Sequence, residues 1–303
     1  MTIKSISDVE PKTHKLRTLK EAYLLGYNIP ETYSVSPPIQ GDLDFINSLE
    51  DCNWLIRPSL KESKAGLEGV TCTRGGIRNG ITDVLSRYGG DVELILQKYV
   101  QSDRAGIMLS SDGVYIESVC GSGFGLTRGG TLPSSYRIQK GDISAHIVRQ
   151  EKKHQMLDGK IIEEKCGEYS SIPRKLLDEL YKMSSDFREK LVDWCSEDEK
   201  LYFLEYWHIP EVLNKKVQGR ITHLGSERYD ILVLPDARIG FFLDAMKSKA
   251  VIVKAGGYLS HLAKNCCEQK IPFIISEEEY VDGELVFIDE KERRIVRLNG
   301  LEQ

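Results

Sequence analysis

No apolar run in the 303-residue chain approaches the length of a membrane span, and the opening Met1-Thr-Ile-Lys-Ser-Ile-Ser-Asp8 lacks the core of a secretory signal. A cytoplasmic protein with no membrane partner is the expectation. A basic surplus is missing too. Lys and Arg total 41 against 46 Asp and Glu, a formal charge of −5, so no face for a nucleic-acid backbone is expected. The seven cysteines are odd in number and none has C-x-x-C spacing, which suggests neither a closed disulfide framework nor a zinc knuckle. Cys266 and Cys267 read as reduced core side chains, with a redox pair as the alternative. There is no internal repeat or low-complexity tract. What remains is an ordinary globular composition, 41% hydrophobic and 29% charged, in a chain long enough for two domains.

The most informative stretch is 254–272. Ala250 to Val253 is a short β-type run, and Leu262, Ala263, Cys266 and Cys267 then recur at helical spacing. Ser260 fits the N-cap of that helix and leaves His261 in its first turn. A helix N-terminus offers unpaired N–H groups and the positive end of a dipole, and Gly256-Gly257 removes side chains that would hold a phosphate away. An imidazole is a nucleophile near neutral pH, so His261 is a candidate phosphoryl carrier. A histidine after a glycine pair is otherwise an ordinary helix-start residue.

This segment resembles the phosphohistidine signature of the phosphoenolpyruvate-utilising enzymes (phosphoenolpyruvate synthase, pyruvate phosphate dikinase, rifampin phosphotransferase). The matching residues are Gly256, Gly257, Ser260, His261, Ala263, Glu268, Ile271 and Pro272. Cys267 stands where the family has Arg, and Lys270 where it has Gly.

Earlier in the chain, residues 13–35 read as helix, turn and strand, with Leu16, Leu19, Ala22 and Tyr23 on one face and Gly26 closing the helix. Read alone, Lys15 at its start is a solvated charge; the resemblance implies that it contacts ATP phosphates. An apolar strand from Asn53 delivers Arg57 and Ser59 toward the polar loop around Ala65-Gly66. A guanidinium at a strand end can grip phosphate oxygens bidentately, or it can sit in a structural ion pair. Thr71, just past that loop, is a further nucleotide candidate. Residues 81–88 read as helix, and Leu94 to Val100 and Ala105 to Ser111 as buried strands. By resemblance these strands line the adenine side, with Gln97 facing the nucleotide. The Gly-rich stretch Gly121 to Pro133 resembles the family's Gly-Leu-Gly-Glu element, but Phe124 replaces the Glu. Residues 134–170, with His146 and His154, match nothing in the family.

From Pro173, the residues Leu176, Leu177, Leu180, Met183, Phe187 and Leu191 step at three or four and mark an amphipathic helix. A β-hairpin follows around the polar turn Ser196 to Lys200, and Asp193 and Glu205 can lie opposite each other on it. Two carboxylates at one site suit Mg²⁺, or they are exposed charges on a solvated face. The family's two Mg²⁺-binding positions fall on Asp193 and Glu205, while Trp207 replaces an Arg.

Residues 210–219 read as a linker, and strands and helices alternate beyond them, including a helix near Arg238 to Lys247. The resemblance therefore implies an α+β protein with two parts. One is an ATP-grasp-like nucleotide-binding domain over 1–210; the other is a smaller β/β/α swivelling phosphohistidine domain over 215–303. It implies ATP and Mg²⁺ as cofactors, and a dikinase-type transfer through His261 that releases AMP and phosphate. The family's pyruvate-binding barrel does not fit in 303 residues, so the acceptor is expected to be a small molecule or to be presented by a separate protein. Two other readings stay open: a nucleotide-binding regulatory module, and an ATP-grasp ligase that activates a carboxylate.

Overall fold

Runs of β-branched and aromatic residues broken by turn residues give this chain far more strand than helix, and the strands collect into three sheets and a long hairpin. The computed structural model describes residues 2–36, 43–60, 69–89, 92–111, 113–127, 131–208, 215–225 and 229–298. The loop around Ala65-Gly66, Gly129, and most of the expected linker lie outside them.

The amino-terminal sheet runs in the spatial order Thr2–Ser5, Thr32–Ser36, Glu93–Lys98, Asn53–Ser59, Val70–Thr73, antiparallel throughout. Helix Ile77–Tyr88 covers one of its faces, burying Ile77, Ile81 and Val84 against Trp54, Ile56 and Leu96. The central sheet is also antiparallel, in the order Lys200–His208, Lys190–Glu197, Arg104–Ser110, Val114–Cys120, Ser134–Gln139, Asp142–His146. Helices His14–Leu24 and Arg174–Asp186 bury their apolar stripes on this sheet, where Leu16, Leu19, Leu180 and Met183 meet Met108, Ile116, Trp194 and Phe203. The second helix stops at Asp186, so Leu191, which continues its spacing in sequence, belongs to a strand instead.

The carboxy-terminal sheet is mixed. Phe273–Ile275, Ala250–Val253, Ile231–Leu234 and Lys216–His223 run parallel, and Leu285–Asp289 and Arg294–Arg297 add on antiparallel. Ile231–Leu234 and Ala250–Val253 are buried at every position, as strands covered on both faces require. Helix His261–Glu268 packs on this sheet through Leu262, Ala263 and Cys266. The expected helix near Arg238 to Lys247 is reduced to a 3₁₀ turn, Ile239–Phe241, and one α-turn, Phe242–Ala245.

Residues 134–170, which no motif assigned, form two strands and the hairpin Arg149–Leu157 with Lys160–Tyr169. Its turn reaches the amino-terminal sheet: Gly159 N–H donates to Asn53 Oδ1 at 2.8 Å, and Thr71 Oγ1 donates to Gly159 O at 2.7 Å. Among the described residues no helix is long and apolar enough to cross a membrane.

Candidate functional site

Directly opposed residues of antiparallel strands share a face. The register Glu205, Asp193, Ile107, Glu117, Ser135 therefore sets three carboxylates in one row across the central sheet. An apolar patch of Ile107, Val119, Leu126, Leu191 and Trp207 lies among them, with Leu259 of the carboxy-terminal region packed against it.

The amino-terminal sheet faces this row with cations. Arg57, on Asn53–Ser59, donates through Nη2 to Glu205 Oε2 at 2.5 Å and through Nη1 to Gln97 Oε1 at 3.1 Å. Gln97 passes the network on to Thr32 Oγ1 at 3.1 Å. Lys15, in the first turn of its helix, donates through Nζ to Pro58 O at 3.3 Å, and its N–H donates to Ser59 Oγ at 3.3 Å. Neither sheet holds the cluster alone. His14, next to Lys15, bonds through Nε2 to Tyr206 O at 2.8 Å, joining the helix start to the carboxylate hairpin.

A third cation comes from helix His261–Glu268. The Lys264 ammonium lies 4.5 Å from the centroid of the Trp207 ring, and its side chain is only 12% exposed. It acts electrostatically on both Asp193 and Glu205. Trp207 replaces an Arg of the family that the sequence resembles, and the structure sets a lysine over its ring.

The charges shift one another in ways that assign their states. Burial pulls the Lys15 ammonium below its ordinary range, although Glu205 opposes it. Burial also pulls Lys264 down, against Glu268, Glu205 and Asp193. Burial, reinforced by Glu205, pushes Asp193 well above the usual carboxylate range. For Glu205 burial pushes upward, but Lys15 and Arg57 outweigh it and its carboxyl ends below that range. Glu205 thus carries the charge and Asp193 tends to keep a proton. Asp193 Oδ1 is buried with no hydrogen-bond partner among the described residues. A buried carboxylate oxygen with no donor, beside a second carboxylate, is the hard-oxygen donor pair that a divalent cation satisfies.

The Gly256-Gly257 loop docks on the same face. Glu117 accepts hydrogen bonds from Tyr258 N–H at 2.8 Å and Leu259 N–H at 3.2 Å. A Cβ on Gly257 would stand 2.0 Å from Glu117 Oε2, and one on Gly256, where φ is 130°, would stand 2.5 Å from Ala237 Cβ. The room these glycines leave is filled by Glu117 and Ala237. Burial pushes the Glu117 carboxyl up to about 7, against the two N–H groups and Arg293. Ser260 is buried and caps its helix, accepting from Ala263 N–H at 3.2 Å. His261 is the first helical residue, one turn ahead of Lys264. Its side chain lies outside the described residues.

The structure thus brings Lys15, Arg57, Gln97, Asp193 and Glu205 together and sets Ser260, Gly256 and Gly257 in the loop docked beside them. Thr71 shares the sheet face of Arg57, but its hydroxyl is spent on the hairpin turn at Gly159. Asp193 and Glu205 are not the exposed hairpin charges that the alternative reading allowed. No sequence motif marks Lys264 or Glu117. Each had a signal in sequence, a charge within an otherwise apolar run: Leu262-Ala263-Lys264 and Tyr115-Ile-Glu117-Ser-Val119.

No protein-family model matches the chain, and no curated protein sequence does. Among solved structures, the D-alanine–D-alanine ligase of Bacillus anthracis aligns with 65% of this chain and 56% of its own, at 12% identity and a TM-score of 0.40. The L-amino acid ligase of Bacillus licheniformis aligns with 66% and 44%, at 12% identity and a TM-score of 0.38. An N5-carboxyaminoimidazole ribonucleotide synthetase, solved with ADP, aligns with 65% and 45%, at 13% identity and a TM-score of 0.37. The chain spans about half the length of these proteins. Two of the three are ligases and one is a synthetase, and none is a phosphoenolpyruvate-utilising enzyme.

Proposed function

We propose that this chain is an ATP- and Mg²⁺-dependent enzyme that carries a phosphoryl group through His261. In this reading an ATP-grasp-like unit, about residues 1–210, holds the nucleotide, and a swivelling unit, about residues 215–303, presents the carrier. The observation that carries it is the electrostatic convergence of Lys15, Arg57 and Lys264 on Asp193 and Glu205, with one Asp193 oxygen buried and without a hydrogen-bond partner among the described residues. Asp193 and Glu205 would hold Mg²⁺, which supplies charge neutralisation at the transferring phosphate. Lys15, Arg57 and Lys264 orient the phosphate chain and balance its charge. Gln97 fixes the Arg57 fork, and the patch around Trp207 and Leu191 offers an apolar seat for a base. Lys264 links the two units, because it stands on the helix that His261 begins and sets its ammonium over Trp207, two residues past Glu205 on the carboxylate hairpin. The β-phosphoryl group then passes to His261, the γ-phosphoryl group is transferred to water or to an inorganic phosphate co-substrate, and AMP is the product. The acceptor is a small molecule entering between the units, or is presented by a separate protein.

One contact favours a second reading, an ATP-grasp ligase that activates a carboxylate. Glu117 fastens residues 258–259 over the carboxylate row, as a lid that excludes water from an acyl phosphate would need. Incubation with ATP and Mg²⁺ separates the two. Acid-labile, base-stable phosphate on His261 with AMP release supports the carrier. ADP formation that depends on an added carboxylic acid, with wild-type turnover in His261→Ala, supports the ligase and overturns the carrier.

A further inference from the structure

On the opposite face of the central sheet from Glu117 stands a second group of ligating side chains. Cys120 ends strand Val114–Cys120 three residues after Glu117, an odd step that turns its thiol to the side covered by helix Arg174–Asp186. Strand Lys160–Tyr169 crosses there, and the Cys120 and Cys166 sulfurs and a Glu168 carboxylate oxygen all lie within 4.8 Å of one another. An irregularity in the hairpin makes this possible. Gln150 pairs with Glu168 and Lys152 with Lys165, so Cys166 and Gly167 together oppose the single residue Glu151. Gly167 has φ 79°, the left-handed conformation of a glycine bulge, and bulges re-aim the side chains beside them. Arg149 fastens the bulge, donating from Nε to Gly167 O at 2.9 Å.

We propose that Cys120, Cys166 and Glu168 form a binding site for a thiophilic divalent cation of the zinc class. Two sulfurs and a carboxylate are three of the four donors that zinc takes, and a cavity of about 240 Å³ lined by Cys120 and Glu168 leaves access for water as the fourth. Both thiols lose their protons on binding, so each cation entering releases two protons. The resulting site carries a single net negative charge. Arg104 and Lys153 line the same cavity together with Asp103 and Glu199, so the rest of the lining adds no net charge. Arg104 is held there by its Nε bond to Ser171 O at 2.6 Å. Because binding displaces both thiol protons, affinity rises with pH. The bound cation would tie the hairpin, which rests on the amino-terminal sheet through Gly159, to the middle of the central sheet.

The test is a titration of the intact, reduced, chelator-stripped protein with Co²⁺, followed by displacement with Zn²⁺ and by proton release. The expected result is one equivalent of cobalt with thiolate-to-cobalt charge-transfer absorption, and two protons released. Cys120→Ser and Cys166→Ser should each weaken binding by at least roughly tenfold, with a smaller loss for Glu168→Gln. The Cys266→Ser, Cys267→Ser double variant, which leaves the site untouched, should bind as wild type. Protection of Cys166 from alkylation by Zn²⁺, read by mass spectrometry on the wild-type protein, keeps the test independent of whether a variant folds. Absence of thiolate–cobalt absorption, its loss in the Cys266/Cys267 variant alone, or Cys166 alkylation unchanged by Zn²⁺ overturns the proposal.

Discussion

Asp193 and Glu205 face each other across one strand pair yet respond to burial in opposite ways, and this sets different consequences for removing each. Burial raises the Asp193 carboxyl, so near neutral pH its ionised form opposes folding of the metal-free protein. Asp193→Asn should therefore raise the melting temperature in the presence of a chelator while abolishing Mg²⁺-dependent nucleotide binding. A variant that is less stable without metal would refute this account. Glu205 is held low by Lys15 and Arg57, so its stabilisation is present above the unfolded-state carboxylate range and is lost as pH falls through the folded value. Glu205→Gln leaves Arg57 buried with a weakened partner. The expected destabilisation is about 3–5 kcal/mol by denaturant titration, well beyond that of an exposed hairpin charge. Lys264 tests the contribution of the carboxy-terminal helix. Lys264→Met should weaken ATP·Mg²⁺ binding by about 1.5–3 kcal/mol, while Lys264→Arg retains most of it. Equal affinities for the methionine variant and wild type in a calorimetric titration would remove Lys264 from the site.

At the scale of elements, the loop that leads into helix His261–Glu268 is fixed by an acid on another sheet. Glu117 titrates from 4.5 up to about 7 on burial. A carboxyl raised in this way stabilises the docked fold most at pH below 4.5, and that contribution fades as pH climbs to about 7. The span corresponds to about 3 kcal/mol. Stability measured at pH 5 and pH 7 should fall more steeply with pH in wild type than in Glu117→Gln, which keeps an acceptor for Tyr258 and Leu259 but does not titrate; parallel profiles would contradict the docking role. Much of this arrangement was legible in sequence, because it rests on local rules: Ser260 as a cap, helical spacing behind it, and a hairpin that sets Asp193 against Glu205. What was not legible rests on pairing at a distance. No spacing rule brings Lys264 to Trp207, or aligns Glu117 with Asp193 through Ile107, since strand order is set by the packing of the whole sheet. The hairpin over 149–169 was missed for another reason. Its strands are largely exposed and rich in Lys and Glu, so they show little apolar alternation.

Across the whole molecule, the candidate site exists only where three sheets meet. Arg57 belongs to the amino-terminal sheet, Asp193, Glu205 and Glu117 to the central sheet, and Lys264 with residues 256–259 to the carboxy-terminal region. A phosphorylated His261 that must reach an acceptor elsewhere has to leave this arrangement. Among the described residues the contacts to be broken include two hydrogen bonds to Glu117, the Lys264 ammonium over Trp207 and the apolar seat of Leu259. Polar contacts of this kind suit an interface that opens and closes within a catalytic cycle. Hydrogen exchange can follow that equilibrium, because the Tyr258 and Leu259 amides are protected only while Glu117 accepts from them. Binding of a non-hydrolysable ATP analogue with Mg²⁺ should alter protection at these two amides and along Asn53–Ser59 together, since both sides of the site contact the same cluster. In Gly257→Ala, whose new methyl group would overlap Glu117 Oε2, the two amides should exchange rapidly with or without nucleotide while Asn53–Ser59 still responds. Protection that changes along Asn53–Ser59 alone in the wild-type protein would mean that the carboxy-terminal region takes no part in holding the nucleotide, and would leave Lys264 as a structural contact to Trp207.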